Sequence, residues 1–235
     1  MLQFKERSNA AEIMDDLSIS GEVIDKTLKE LEIINDWLGG NGVIQSGLEK
    51  VHKKRPLEGK ITIADVGCGG GDLLKLISLW AGKRGLDVSL TGIDANPDII
   101  RYAEENTSAF PEIHYMCKDI FSPEFSNETF DLITSTLFCH HFTDEQLIAM
   151  LQQFGKQARK AIVINDLHRH WFAYYSIKWI TGVFSKSYMV KHDACVSVQR
   201  AFRRQELQRI IEAAGFSDYS IQWKWAFRFE IVIFV

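Results

Sequence analysis

The sequence predicts a doubly wound, mostly parallel α/β sheet, and three observations carry that prediction. Apolar, β-prone runs alternate with helical patterns from Lys60 to Ala214. A glycine-rich turn, Gly67-Cys68-Gly69-Gly70-Gly71, joins the first such run to the first such helix. The closing stretch, Tyr219 to Val235, breaks the rhythm with two β-rich runs around Ala226, which read as an antiparallel hairpin at the sheet edge.

In chain order, residues 1–58 read as a helical N-terminal cap. Ile24, Leu28, Leu31, Ile34 and Leu38 recur at helical spacing, and Gly39-Gly40 supplies a stop. A second short helix fits Val43 to Lys53, and Pro56-Leu57-Glu58-Gly59 turns the chain into the sheet. Strands fit 61–65, 88–94, 112–117, 130–135 and 161–165, and helices fit 72–81, 97–106, 144–156 and 204–214. Pro97 sits where a first-turn proline belongs. Residues 59–235 then form the main domain, with an insertion at about 166–202 that exceeds an ordinary connection.

Composition narrows the function classes. At 235 residues, 46% apolar and 25% charged, the chain suits one large globular α/β domain. A net charge of -4 gives no reason to expect a nucleic-acid partner. Neither an apolar leader nor a membrane-length run is evident, so a cytoplasmic location is expected, with peripheral membrane contact left open. Cys68, Cys117, Cys139 and Cys195 are scattered without a C-x-x-C pair. They suggest reduced thiols and no metal site.

The run Ile61-Thr62-Ile63-Ala64-Asp65-Val66 ends in an acid and enters the glycine turn, a nucleotide-binding arrangement. Glycines admit positive φ and let a ligand approach the backbone closely. The dinucleotide fingerprint needs a third glycine where Asp72 stands, and no Gly-Lys-Ser/Thr ends the loop. Those two differences argue against a nicotinamide cofactor and a phosphate-cradling Walker loop. Asp94, roughly 20 residues past the loop at the end of the second strand, is placed to accept hydrogen bonds from ribose hydroxyls. As a lone residue it reads equally as a helix cap.

Asp65-x-Gly67-x-Gly69-x-Gly71 resembles motif I of the class I S-adenosylmethionine-dependent methyltransferases, and residues 60–165 fit that family well. The resemblance implies a Rossmann-like, seven-stranded sheet with S-adenosylmethionine as methyl donor and S-adenosylhomocysteine as product. It also implies a cofactor site built from Asp65, Gly67, Cys68, Gly69, Gly71, Asp94, Ala95, Asp119, Ile120 and Ser135. In the family, the acid after the third strand contacts the adenine amino group and its neighbour packs on the ring. The fourth strand ends Ser135-Thr136-Leu137-Phe138, where amino-methyltransferases show an Asn-Pro-Pro-Tyr-like tetrapeptide. The acceptor is therefore expected to offer oxygen or carbon, in a small molecule similar to quinones or polyketides. A methyltransferase acting on RNA or protein, and a non-catalytic relative, are the alternatives.

Methyl transfer from a sulfonium needs a base only when the acceptor must lose a proton. His140 and His141, just past the fourth strand, suit that role because imidazole titrates near neutrality. They read equally as capping, packing or a polar pocket wall. Trp171, Tyr174 and Tyr175 in the insertion are expected to wall the acceptor. The competing readings are a helix packed on the N-terminal helices, or a membrane-surface element with Lys178, Lys186 and Lys191. His192 beside Asp193 would orient the acceptor or form a loop hydrogen bond.

Overall fold

The computed structural model describes residues 4–235. The described residues form a seven-stranded sheet: β1 (Lys60–Val66), β2 (Asp87–Asp94), β3 (Ile113–Cys117), β4 (Phe130–Thr136), β5 (Ala158–Leu167), β6 (Tyr219–Lys224) and β7 (Arg228–Phe234). Their order is β3-β2-β1-β4-β5-β7-β6. β1 to β5 run parallel, while β7 lies antiparallel to both β5 and β6. The C-terminal hairpin expected from the sequence is therefore present.

The chain fills β1, β2 and β3 outward, then returns to lay β4 on the other side of β1. That reversal opens a crevice above the carboxyl ends of β1 and β4, where open α/β sheets bind ligands. Register brings the strand ends level: Asp65 faces Gly92 on one side and Thr134 on the other, and Asp94 faces Cys117.

Period-two alternation divides the strands between two cores. Ile133 and Ile164 pack with Leu151, Phe154 and Ile210, while Leu132 and Val163 pack with Leu48 and Ile77 on the opposite face. The helices covering those faces are α1 (Glu22–Trp37), α2 (Gly40–Lys54), α3 (Asp72–Gly82), α4 (Pro97–Asn106), α5 (Pro123–Ser126), α6 (Asp144–Gln157), α7 (Trp171–Phe184), α8 (Tyr188–Arg200) and α9 (Arg204–Ala213). Local signals set their starts. Asn96 caps α4 by accepting from the amides of Asp98 and Ile99 ahead of Pro97, a cap worth about 1 kcal/mol. Thr143 and Gln146 form a reciprocal capping box on α6.

Two expectations need correction. Residues 4–21 are largely extended or turning and contain only a short 3-10 turn at Ile13–Asp15. The cause lies in Asp16, whose side chain takes the Ser18 amide, and in Gly21, whose positive φ sets the entry to α1. The 166–202 stretch is a pair of helices, α7 and α8, started by His170 and Ser187 caps. His192 and Asp193 therefore stand on a helix and not in a loop. No described helix is long and apolar enough to cross a membrane.

Candidate functional site

The loop after β1 owes its shape to its glycines. Gly67 and Gly71 sit at φ 69° and 78°, and a Cβ would run into the Phe138 ring at the first and the Tyr115 hydroxyl at the second. The amides of Gly67 and Cys68 both donate to the Ile93 carbonyl, at 2.9 and 3.1 Å, which ties the loop to β2. The result is a cradle with bare backbone toward the crevice.

Two acids flank it, Asp65 buried and Asp94 half-buried. Asp65 accepts from the Thr134 hydroxyl at 2.9 Å, and burial, reinforced by the nearby Asp94 carboxylate, pushes it up to about 7. Asp94 is likewise raised by burial, although its carboxylate takes the Asn96 amide at 3.0 Å and is held by further loop amides. Asp119 accepts from the Phe121 amide at 2.9 Å, which fixes the turn after β3 beside buried Ile120.

A cavity of about 1140 Å³ collects these residues. Asp65, Gly67, Cys68, Gly69, Asp94, Ala95, Asp119 and Ile120 all line it. Two expected cofactor residues do not. Gly71 holds the turn, with its amide donating to the Cys68 carbonyl at 3.0 Å. The buried Ser135 hydroxyl donates to the Val66 carbonyl at 3.1 Å and so pins β4 to β1. Its neighbour Thr136 lines the cavity instead, with its hydroxyl oxygen buried and unbonded among the described residues. Alternation along β4 was the available signal, since Thr134 and Thr136 share a face that Ser135 does not.

The two histidines have different surroundings. His140 is fully buried, with Nδ1 2.8 Å from Asp166 and Nε2 3.4 Å from Glu12. Burial by itself disfavours the imidazolium, but Asp166 and Glu12 outweigh it and push His140 up to about 10. At neutral pH it is a cation and not a proton acceptor. His141 is partly exposed to the cavity, and its Nδ1 lies 2.6 Å from Asp15. Asp15 is held well below the usual carboxylate range. Burial opposes this, but the bonds from His141, the Glu12 amide and Arg200 prevail. His141 Nε2 faces Glu12 at 4.0 Å.

Glu12 and Asp15 come from the N-terminal segment, which is stitched over the site. Asp193 accepts the amides of Ile13 and Met14 at 2.8 and 3.0 Å. Arg200 donates to Asp15 at 2.6 Å and to the His140 carbonyl at 3.1 Å, while Arg7 donates to Asp144 and to the carbonyls of His140 and Phe142. Sequence reading missed Glu12, Asp15, Asp166 and Arg200 as supports of the histidines. Only Asp166, at a strand end, carried a local signal.

Glu12, His140 and His141 bring ligand-type atoms within 4.8 Å of one another, a metal-like spacing. The Arg200 guanidinium stands 3.9 Å from Glu12, and protonated His140 offers no lone pair at Nε2. The cluster is therefore a charge network in its present protonation state.

Of the residues expected to wall the acceptor, Trp171 and Tyr175 point to solvent. Tyr174 is buried against Phe4 and Val198, and His192 pairs with Asp193 at 2.8 Å outside the cavity lining. Helical periodicity explains the difference. The cavity face of α7 carries Phe172, Ala173, Ser176, Ile177 and Ile180, and Trp223 of β6 with Trp225 and Phe227 of the β6–β7 turn continues the lining from it.

Strand order, glycine cradle and paired acids agree with the Rossmann-like fold that the sequence predicts. Residues 63–160 match the family model described as a methyltransferase domain. The chain is 23% identical over 205 residues to carboxy-S-adenosyl-L-methionine synthase of Helicobacter pylori, covering 83% of this chain and 81% of that protein. It is 34% identical over 85 residues to malonyl-[acyl-carrier protein] O-methyltransferase of Acetivibrio thermocellus, a match covering 36% of this chain and 28% of the relative. Among solved structures, the plantazolicin methyltransferase BpumL, in complex with a triazolic desmethylPZN analog and SAH, superposes with a TM-score of 0.67. That match has 16% identity and covers 88% of this chain and 89% of the other.

The cradle fits S-adenosylmethionine. Gly69 presents bare backbone to the cavity, where a Cβ would meet only Leu28 at 3.9 Å, and the Asp94 carboxylate lines the same cavity. Asp94→Ala is expected to weaken S-adenosylhomocysteine binding at least about tenfold, or 1.4 kcal/mol, by titration calorimetry. An unchanged affinity in a folded variant would remove Asp94 from the ribose site.

The charge network also sets a pH dependence. His140 is raised from 6.5 to about 10, so its stabilisation is complete below pH 6.5 and is lost as pH climbs toward 10. Asp65, raised from 3.8 to about 7, adds an earlier loss between those two values, which is nearly complete where that climb begins. Glu12 and Asp166 are lowered, so their contributions vanish only as pH falls below the ordinary carboxylate range. Melting temperature is thus expected to fall steadily from pH 6.5 to 10. In His140→Gln it should start lower and stay flatter, and parallel curves would remove His140 as the source.

Proposed function

We propose that the protein transfers a methyl group from S-adenosylmethionine to oxygen or carbon of a small, flat, apolar acceptor of aromatic, quinone or polyketide character. The observation that carries this reading is the continuity of one cavity. Its lining includes the glycine cradle with Asp94, His141, and an apolar wall of Ile177, Ile180 and Phe227. When bound, S-adenosylmethionine would supply a methyl activated by its sulfonium. Asp94 and Asp119 would hold its ribose and adenine, and the backbone at Gly67–Gly70 its amino-acid end.

The chain's own residues then have two tasks. The apolar wall excludes water and fixes the acceptor's plane toward the cradle. His141 takes the acceptor's proton at Nε2, because its Nδ1 proton is committed to Asp15 and the ring is held in place by that bond. His140 serves as a fixed positive charge beneath it, with the two rings 4.4 Å apart. That charge favours an acceptor oxygen that develops negative character. The N-terminal segment and the α7–α8 pair would together form the acceptor side of the site.

A polymeric acceptor such as RNA finds no support in a cavity walled this way or in a net charge of -4. The reading is tested by incubating the protein with S-adenosylmethionine and a panel of phenols, quinols and polyketide-like acids. Release of S-adenosylhomocysteine should depend on the acceptor and favour the apolar aromatic members. Indifference to the acceptor would overturn it.

A further inference from the structure

We infer that the outer face of α7, together with the β6–β7 turn and the end of α1, docks the protein on an anionic lipid surface, with the cavity mouth toward the bilayer. The inference does not rest on the identity of the acceptor. Helical spacing puts Trp171, Tyr175, Lys178, Trp179 and Val183 on one exposed stripe of α7, opposite the side that lines the cavity. Exposure of large apolar side chains is concentrated here: Trp179 is 65% exposed, Trp225 69% and Trp37 63%. Ring contacts form two groups, one at each end of α7, with Trp225 in neither. Trp37 and Trp179 meet Phe184 at 5.6 and 6.3 Å, and Phe227 meets Phe172 at 5.8 Å and Trp223 at 6.0 Å. An exposed face of this kind on a water-soluble chain marks a contact surface.

Charge selects the occupant. Residues 167–192 contain no Asp or Glu, in a chain that has 31 of them, and Lys178, Lys186 and Lys191 stand exposed within that stretch. Of the carboxylates on the facing part of α1, Asp36 is exposed beside Trp37, while Glu30 takes the Ser185 hydroxyl and the Lys186 and Ser187 amides and is thereby committed to the turn. Tryptophan and tyrosine interleaved with lysine is the composition of an interfacial element, where amphipathic rings sit at headgroup depth and ammonium groups meet lipid phosphates. An apolar protein partner would not call for the lysines, and an acidic one would not call for so many exposed indoles. Phe172, Trp223 and Trp225 line the cavity and stand exposed at once, so a lipophilic molecule could pass from bilayer to cavity without crossing water.

The full chain, without cofactor or acceptor, is mixed with phosphatidylcholine vesicles with and without phosphatidylglycerol, then sedimented. Binding is expected to be at least about tenfold tighter to the anionic vesicles, against the repulsion due to the net charge, and to weaken with salt. Lys178→Glu with Lys186→Glu and Lys191→Glu should abolish the preference, and Trp179→Ala with Trp225→Ala should weaken binding to both vesicles. All five positions are exposed, and an unchanged melting curve verifies the fold of each variant. Protein that stays in the supernatant with anionic vesicles overturns the proposal. So does a dimer in light scattering that Trp179→Glu converts to monomer, because the face would then belong to a second copy.

Discussion

His141→Ala is expected to lower turnover by about 10²- to 10⁴-fold while leaving S-adenosylhomocysteine affinity within about twofold, the range for loss of a positioned general base. The effect should be large because the ring lines the cavity and is held by Asp15 at 2.6 Å, with Nε2 4.0 Å from Glu12. His140→Ala would also cost activity, but through a different route. It removes a buried cation and leaves Asp166 and Glu12 uncompensated, so melting temperature should fall with turnover. A pH–rate profile separates the two roles. With an acceptor of high intrinsic pKa, the wild-type kcat should fall toward low pH as the base is protonated, and that acidic limb should disappear in His141→Ala and survive in a folded His140→Gln. Full activity of His141→Ala on a phenolic acceptor would end its assignment.

Asp166→Ala carries the largest expected cost in stability. The carboxylate is fully buried, accepts the amides of His140 and Leu167, and pairs with His140 Nδ1 at 2.8 Å. Removing one partner of a buried ion pair costs about 3–5 kcal/mol, since the remaining charge is stranded in low dielectric. For a chain of this length that is a fall on the order of 10 °C in melting temperature. Urea denaturation at pH 7 would measure it. The double variant Asp166→Ala with His140→Ala should lose less than the sum, because the stranded cation is gone. Strict additivity would mean that the pair is not coupled.

The donor side of the site was legible because its information is local. Glycines at 67, 69 and 71, Asp94 one strand later and Asp119 one strand after that lie on consecutive strand ends, and topology alone brings consecutive strand ends together. Two expected residues lie off the lining: Gly71 holds the turn, and on β4 the one-residue parity that separates Ser135 from Thr136 reverses which face a side chain occupies. The acceptor side depends on long-range contacts. Asp15 reaches His141 across 126 residues, and no pattern within 4–21 announces it. On α7, aromatic composition suggested a pocket wall, whereas the 3.6-residue period assigns smaller side chains to the cavity and sends Trp171, Tyr175 and Trp179 outward. Tyr174 went a third way, into contact with Phe4.

The segment that Asp193 and Arg200 clamp across the cavity has a consequence for how such a catalyst can change. The residues proposed to recognise the donor lie in one stretch of strands and loops. The proposed base, His141, is supported by an N-terminal ribbon that meets the rest of the molecule through side-chain clasps. Drift in that ribbon can retune proton handling, or admit a different acceptor, while the donor site keeps its shape. One molecule thus holds a conservative half and an experimental half, joined at His141.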